Sequence, residues 1–207
     1  MKKVRDTYGN SAASGYTIDF FTLNAPGASQ AFLASPFFST FEPIGALTVR
    51  GCKVRLLVRL CSITLPTVLR QAFNDPHVAV RYYTSRSFHA KLYIIDDVAL
   101  VGSANLTDAG LKTNREVSVV LRKGRDTGFD ALPAMFNLFW DYADVLDEEI
   151  CARYEQAFKM IGKAKEEQEF QDFLEKLVPA GRAAQCQGWQ RDRFEKAIIS
   201  SGIAPKI

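Results

Sequence analysis

Residues 53–60, Lys-Val-Arg-Leu-Leu-Val-Arg-Leu, constrain the fold more than any other segment. Val54, Leu56, Val58 and Leu60 recur every second residue, which is the period of a strand with one face committed to a core. A second strand pattern, Val78–Tyr83, follows after a helical stretch, Ser62–Phe73, whose Pro66 suits a first turn and for which Ser62 or Thr64 would serve as cap. Strand, helix, strand at this spacing predicts a mixed β-sheet with helices on its faces, an α/β fold.

Other segments extend the pattern. Gln30–Phe38 reads as a strand and Thr40–Arg50 as a helix with Phe41, Ile44 and Leu47 on its apolar side. Ala90–Ile95 and Ala99–Gly102 read as two strands joined by a tight Asp96-Asp97 turn. Residues 104–115 read as loop or short helix, and Glu116–Arg122 as a further strand. Beyond Gly128 the character becomes helical, with one long helix expected over Phe129–Leu146, another over Glu148–Lys163, and helices near Gln168–Leu177 and Trp189–Ser200 separated by Pro179-Ala180-Gly181. Residues 1–28, rich in Gly, Ser, Thr and Asn, read as an irregular lead-in or a short edge element. The expected organisation is thus a lead-in (1–28), a catalytic-size domain (29–147) and a C-terminal helical extension (148–207).

Charge is unevenly placed. Arg50–Arg125 holds 13 Lys or Arg against 5 Asp or Glu, a net of +8, although the whole chain carries only +3. The middle of the chain is suited to an anion, and the acidic tail is not. Cys52, Cys61, Cys151 and Cys186 have no metal-binding spacing, and His77 and His89 are the only histidines, so no zinc pattern and no cofactor is expected. Isolated thiols fit a reducing, cytoplasmic setting. No apolar run is long enough for a membrane span or a signal-peptide core.

The chemistry concentrates in Ser87–Val120. His89 and Lys91 are two residues apart at a strand start, so alternation places an imidazole beside an ammonium. An ammonium that binds non-bridging oxygens next to an imidazole that attacks phosphorus suits phosphate chemistry. Gly102-Ser103-Ala104-Asn105 ends the following strand. The glycine permits close backbone approach, and Ser and Asn supply neutral donors. A hairpin across Asp96-Asp97 would return this segment to His89. Glu116 opens the next strand, where its carboxylate could accept the His89 Nδ1 proton and orient the ring.

Six of these positions together resemble the signature of the phospholipase D superfamily, HxK(x)4D followed by GSxN. His89, Lys91 and Asp96 match the first part, Gly102, Ser103 and Asn105 the second, and Glu116 looks like the family's downstream glutamate. Five residues separate Asp96 from Gly102, a slightly short spacer. The resemblance is strong over about residues 85–122 and does not reach the tail. It implies a phospholipase D-like fold and a two-step, metal-independent reaction. In that reaction His89 forms a phosphohistidine, a second histidine protonates the leaving oxygen, and water completes the hydrolysis. Lys91 and Asn105 would bind the phosphate, Ser103 would support them, Glu116 would orient the imidazole, and Asp96 would serve mainly in the turn.

The implied reaction needs two histidines, and His77, in Asn-Asp-Pro-His, lacks both companion motifs. A two-fold homodimer sharing one site is the simplest expectation, as in the single-motif bacterial endonucleases of the superfamily. Arg81, Arg86, Lys112 and Arg115 are candidate contacts to flanking phosphates, and Tyr82 and Tyr83 would either stack on bases or pack in the sheet. DNA or RNA is the favoured substrate. A lipid phosphodiesterase or phosphatidyl transferase, and a non-catalytic nucleic-acid-binding subunit of a larger complex, are the competing readings. The acidic helices after residue 148 would pack on their own domain, dock a protein partner or screen the basic cleft.

Overall fold

The computed structural model describes residues 5–161 together with Leu174 and Lys176. One eight-stranded mixed sheet organises them. In chain order its strands are β1 (Thr7–Tyr8), β2 (Gln30–Ser35), β3 (Lys53–Arg59), β4 (Val78–Tyr83), β5 (Leu92–Ile95), β6 (Val98–Gly102), β7 (Ser118–Arg122) and β8 (Asp144–Val145). Across the sheet they lie in the order β1-β7-β6-β5-β2-β3-β4-β8. The central β2, β3 and β4 run parallel, and every other pairing is antiparallel.

Parallel neighbours need crossovers, and helices provide them. α2 (Glu42–Thr48) joins β2 to β3, and α3 (Pro66–Asn74) joins β3 to β4. Together with α1 (Thr17–Asn24) and α5 (Glu148–Ile161) they cover one face of the sheet over a core that includes Phe20, Phe21, Leu33, Phe38, Leu56, Tyr93 and Tyr154. α4 (Ala131–Tyr142) covers the other face, where Phe136 stacks on Phe32 at 5.1 Å over Ala34, Leu57 and Ile94. Because β3 is central it is buried on both faces. Leu57 therefore packs under α4 while Leu56 and Val58 pack on the opposite side.

Several elements depart from the expectations. Residues 1–28 supply the short edge element that was expected, β1 hydrogen-bonded to β7, but also an unexpected helix, α1, which buries Phe20 and Phe21 completely. The apolar residues of α1 are adjacent rather than spaced at helical intervals, so periodicity hides it. Its start is set instead by Asn10, in the left-handed region at φ 51°, whose Oδ1 accepts the Thr17 N–H at 2.8 Å. Thr64 does not cap α3. Its hydroxyl donates to Arg59 O at 2.7 Å and accepts from Phe38 N–H at 3.2 Å, while Leu65 takes the cap position.

The expected long helix over Phe129–Leu146 ends at Tyr142. Ala143 turns extended, and Asp144–Val145 pairs with β4, closing an otherwise open edge. The described part of the C-terminal extension is built into the domain. Arg70 of α3 bridges Glu148 at 2.6 Å and Glu155 at 2.7 Å, and Tyr154 is fully buried. The helices expected near 168–177 and 189–200 lie outside the described residues, apart from Leu174, buried against the same core, and Lys176.

Candidate active site

The site lies at the sheet end where β2 and β3 finish, β5 and β7 begin and β6 ends. His89 and Lys91 occupy the extended segment just before β5. Both flanks of that segment are anchored: Phe88 is buried and stacks on Tyr83 at 4.5 Å, and Leu92 is buried in the sheet. His89 itself is exposed and Lys91 half-buried. Lys91 Nζ stands 2.8 Å from His89 Nδ1 and donates to His89 O at 3.0 Å. Burial holds the Lys91 ammonium below the usual lysine range; Glu116 opposes that and Arg59 adds to it.

Gly102 ends β6 where only a glycine fits. A Cβ there would lie 2.3 Å from both Val117 O and Ser118 Oγ. That close approach lets Ser103 join two strands, its N–H donating to Val117 O at 3.0 Å and its Oγ accepting from Val117 N–H at 3.1 Å. The Ser103 hydroxyl donates to Glu116 Oε2, and Asn114 Nδ2 donates to Glu116 Oε1 at 3.3 Å. The sequence suggested that Glu116 would take the His89 Nδ1 proton. In the structure both Glu116 oxygens accept from Ser103 and Asn114, and Lys91 is the group placed at Nδ1.

Asn105 is half-buried, with Oδ1 3.5 Å from Ser35 Oγ, which leaves its Nδ2 group as donor for a ligand oxygen. Its backbone is held from three sides. Ser35 Oγ accepts the Leu106 N–H at 3.1 Å, and Tyr93 OH donates to Ala104 O at 2.7 Å. Gly110, in a π-helical turn over Ala109–Thr113, packs so closely that a Cβ would lie 2.7 Å from Asn105 O. Asn10 Nδ2 ties that turn down at Gly110 O and Asn114 O, at 2.8 and 3.0 Å.

The remaining candidates scatter. Asp96 lies at the opposite end of β5, about 17 Å of extended chain from Lys91. It adopts φ 46° and accepts hydrogen bonds from Ser29 Oγ at 2.7 Å and from the N–H groups of Ser29 and Gln30 at 3.0 and 3.1 Å. Arg81 turns under α4, donating to Trp140 O at 2.6 Å with its guanidinium over the Trp140 ring. Lys112 is paired with Glu42 and, at 3.1 Å, with Asp108. Arg86 and Arg115 are exposed. Tyr82 and Tyr83 are buried, so they pack rather than present rings to a ligand. His77 lies at the start of β4, at the far end of the sheet, with Nδ1 3.0 Å from Lys53 Nζ.

Sequence reasoning passed over Ser35, Phe37 and Arg59. All three sit at or just beyond the carboxyl ends of parallel strands, the edge where open α/β sheets bind ligands. The signal available was a polar residue closing each apolar run, Ser35 after Gln-Ala-Phe-Leu-Ala and Arg59 within Leu-Leu-Val-Arg-Leu. Among the described residues no three His, Cys, Asp or Glu side chains gather as a metal ligand set, and no helix is long and apolar enough to cross a membrane.

Residues 26–140 match the family model described as cardiolipin synthase, phospholipase D-like domain. The chain belongs to the phospholipase D superfamily. Its members are phosphodiesterase-type enzymes, and the fold agrees with solved structures at low identity. A phospholipase D family member, Nuc, from Salmonella typhimurium is 16% identical with a TM-score of 0.57 over 69% of this chain and 97% of that one. NucT from Helicobacter pylori is 14% identical with a TM-score of 0.54, covering 63% of this chain and 91% of that one. The phosphatidylserine synthase of Haemophilus influenzae Rd KW20 is 13% identical with a TM-score of 0.53, covering 95% of this chain but 46% of its own. No curated protein sequence matches the chain.

Proposed function

We propose that this phospholipase D-like chain is a nuclease that hydrolyses DNA or RNA through a phosphohistidine at a site shared by two copies of the chain. The carrying observation is that His89, Lys91, Ser103, Asn105 and Glu116 meet at one sheet end, while His77, the other histidine, lies at the opposite end. A nucleophile and an acid are both required, and each chain brings one imidazole to the site. A two-fold axis would supply the second His89 with its own Lys91 and Asn105, doubling the positive charge and the donors around the phosphate.

Nucleic acid is favoured by the net +8 carried by residues 50–125 and by exposed Arg86 and Arg115 beside the site segments. The likeness to Nuc and NucT, which takes in 97% and 91% of those chains and 69% and 63% of this one, supports the same reading. A lipid phosphodiesterase or phosphatidyl transferase is the second reading. It is supported by the cardiolipin synthase description of the family model and by the phosphatidylserine synthase, whose likeness spans nearly all of this chain.

Purified protein is to be incubated with DNA, RNA and phospholipid vesicles in excess EDTA, with His89→Ala alongside. Nucleic-acid cleavage that persists in EDTA and disappears in His89→Ala is expected. Turnover of phospholipid alone supports the second reading, and nucleic-acid binding without turnover supports a non-catalytic subunit. Mixing His89→Ala with wild type is expected to lower activity by more than dilution. A fully active monomer would refute the shared site.

A further inference from the structure

Arg59 is a charged residue at the end of the central strand β3, and it is only 3% exposed. In the sheet its register neighbour on β4 is Tyr83, and on the β2 side its N–H donates to Pro36 O at 3.3 Å, next to Phe37. Its guanidinium carbon lies 5.1 Å from the centroid of the Phe37 ring. Phe37 in turn meets His89 at right angles, with ring centroids 5.9 Å apart. On the other flank Tyr83 stacks on Phe88, the residue before His89. One buried cation is therefore a single aromatic ring away from the nucleophile on one side, and two rings plus a peptide unit away on the other.

The Arg59 guanidinium lies on the Phe37 ring, and Phe37 lies against His89, so contact links this buried cation to the phosphate site. We propose that Arg59 is a positioning residue of the phosphodiester site, clamping Phe37 so that the His89 ring is held in place and supplying a permanent positive charge within electrostatic reach of Lys91. Lys91 and His89 change charge with pH, whereas a guanidinium does not. Arg59 therefore keeps the site attractive to a phosphate in every protonation state. The same field opposes protonation of its neighbours. The charged or titratable groups that bear on Lys91 are His89 at its Nζ, the Glu116 carboxylate and Arg59, and of these Arg59 pushes the ammonium toward loss of its proton.

The test uses Arg59→Met, Arg59→Lys and Phe37→Leu in the full chain. Two measurements are made: turnover of bis(p-nitrophenyl) phosphate, a diester with neither base nor lipid, and titration of Lys91 by NMR of lysine labelled with 13C at Cε, assigned with Lys91→Arg. In Arg59→Met the Lys91 midpoint is expected to move to higher pH, because a cation has been removed. In Arg59→Lys it stays near wild type, because the charge remains. Phe37→Leu is expected to leave the Lys91 midpoint in place and to lower kcat by about 10²-fold, the order of loss that follows from a misplaced reacting group. Arg59→Lys is expected to lose kcat as well, because an ammonium cannot lie flat on the ring as a guanidinium does.

An unmoved Lys91 midpoint in Arg59→Met overturns the electrostatic half of the proposal. Wild-type kcat in Phe37→Leu overturns the clamp. If Arg59→Met fails to fold, Arg59→Lys and Phe37→Leu decide, since wild-type kcat in either one contradicts the clamp. The proposal rests on His89 acting as nucleophile. Should wild type turn over no phosphodiester at all, that functional reading fails, while the Lys91 titration still judges the role of the Arg59 charge.

Discussion

Lys91 Nζ stands 2.8 Å from His89 Nδ1, so the ammonium and the imidazole of this motif are hydrogen-bonded to each other. An ammonium has protons to give and no lone pair to offer, so Nδ1 must be the acceptor, and the neutral ring then carries its proton on Nε2. In that tautomer Nε2 can donate a proton but cannot attack phosphorus. On the proposed reading, a phosphate that draws Lys91 onto its own oxygens would free Nδ1 to take a proton from solvent while Nε2 gives its own proton up, and Nε2 could then attack. The contact would then couple substrate binding to activation of the proposed nucleophile, and in a shared site the copy that keeps its Nε2 proton would serve as the acid.

A pH dependence follows. In the proposed reaction Lys91 would act as an ammonium, and burial holds it below the usual lysine range. Activity is therefore expected to fall as pH rises through a midpoint below that of an exposed lysine, ~10.4. Lys91→Met should remove this basic limb and lower kcat by about 10²–10³-fold, the loss typical of one donor to a developing charge. A basic limb that persists in Lys91→Met would assign it to another group. Initial-rate measurements from pH 6 to 10.5 on both proteins check this.

Gly102 carries a second prediction. A methyl group at this position would collide with Val117 O and with Ser118 Oγ, atoms of the neighbouring strand that cannot move without opening the β6–β7 pairing. Gly102→Ala is expected to cost about 1–3 kcal/mol, as overpacking does. It should also detach Ser103 from Val117 and Glu116, so that activity falls by more than stability explains. Ser103→Ala is the control, because it removes the Glu116 contact without the clash. Denaturant titrations and kcat for the two variants separate strain from lost hydrogen bonding.

Much of this was legible in the sequence. Period-two strands such as Lys53–Leu60 report their buried face directly, and the hairpin expected from Ala90 to Gly102 forms as β5 and β6, which brings His89, Lys91 and Asn105 to one sheet end. What escaped was held by long-range contacts. α1 has no helical periodicity and starts from a hydrogen bond seven residues back, at Asn10. Phe37 and Arg59 come from strands that reach the site only after β2 and β3 have paired. Arg81 was assigned to the ligand by charge, but alternation along β4 turned it under Trp140. Glu116 was placed near His89 by sequence order, but the hydroxyl and amide that hold it depend on side-chain geometry that no spacing encodes.

Asp96 fits the family signature, yet its chemistry is that of a turn. Burial raises its proton affinity, but the Ser29 hydroxyl and the N–H groups of Ser29 and Gln30 outweigh this and hold the carboxyl below the ordinary value. The sign is that of a depressed acid: its stabilising contribution is complete above the unfolded pKa, ~3.9, and is lost as pH falls through the lower folded value. Asp96→Asn tolerates the left-handed backbone while removing the charge. It is expected to lower stability at pH 7 by about 1–2 kcal/mol, the scale of charge-assisted hydrogen bonds, with the difference shrinking below pH 4. Turnover at 25 °C should change less than twofold, a result that would place Asp96 outside the phosphate site. Thermal melts at pH 7 and pH 3.5 together with kcat measure both effects.

The last prediction concerns the chain beyond residue 147. Tyr154 of α5 is fully buried, and its hydroxyl lies 2.7 Å from Cys61 O and 2.5 Å from Thr64 O. Those carbonyls belong to the loop that follows Arg59 and turns into α3. Burial, as its largest cause, pushes the phenol well above its usual pKa, so it remains a neutral donor across the working pH range. Tyr154→Phe keeps the ring and removes the donor, and should cost about 1–3 kcal/mol for carbonyls left without it. Ending the chain after residue 147 removes Tyr154, the buried Cys151 and Ala157, and both acids that pair with Arg70. That truncated chain is expected to lose cooperative unfolding, as a domain does when part of its core is cut away. A chain ended after residue 176 is expected to keep it. A truncation at 147 that melts cooperatively near the wild-type temperature would make α5 an accessory to the domain rather than part of its core.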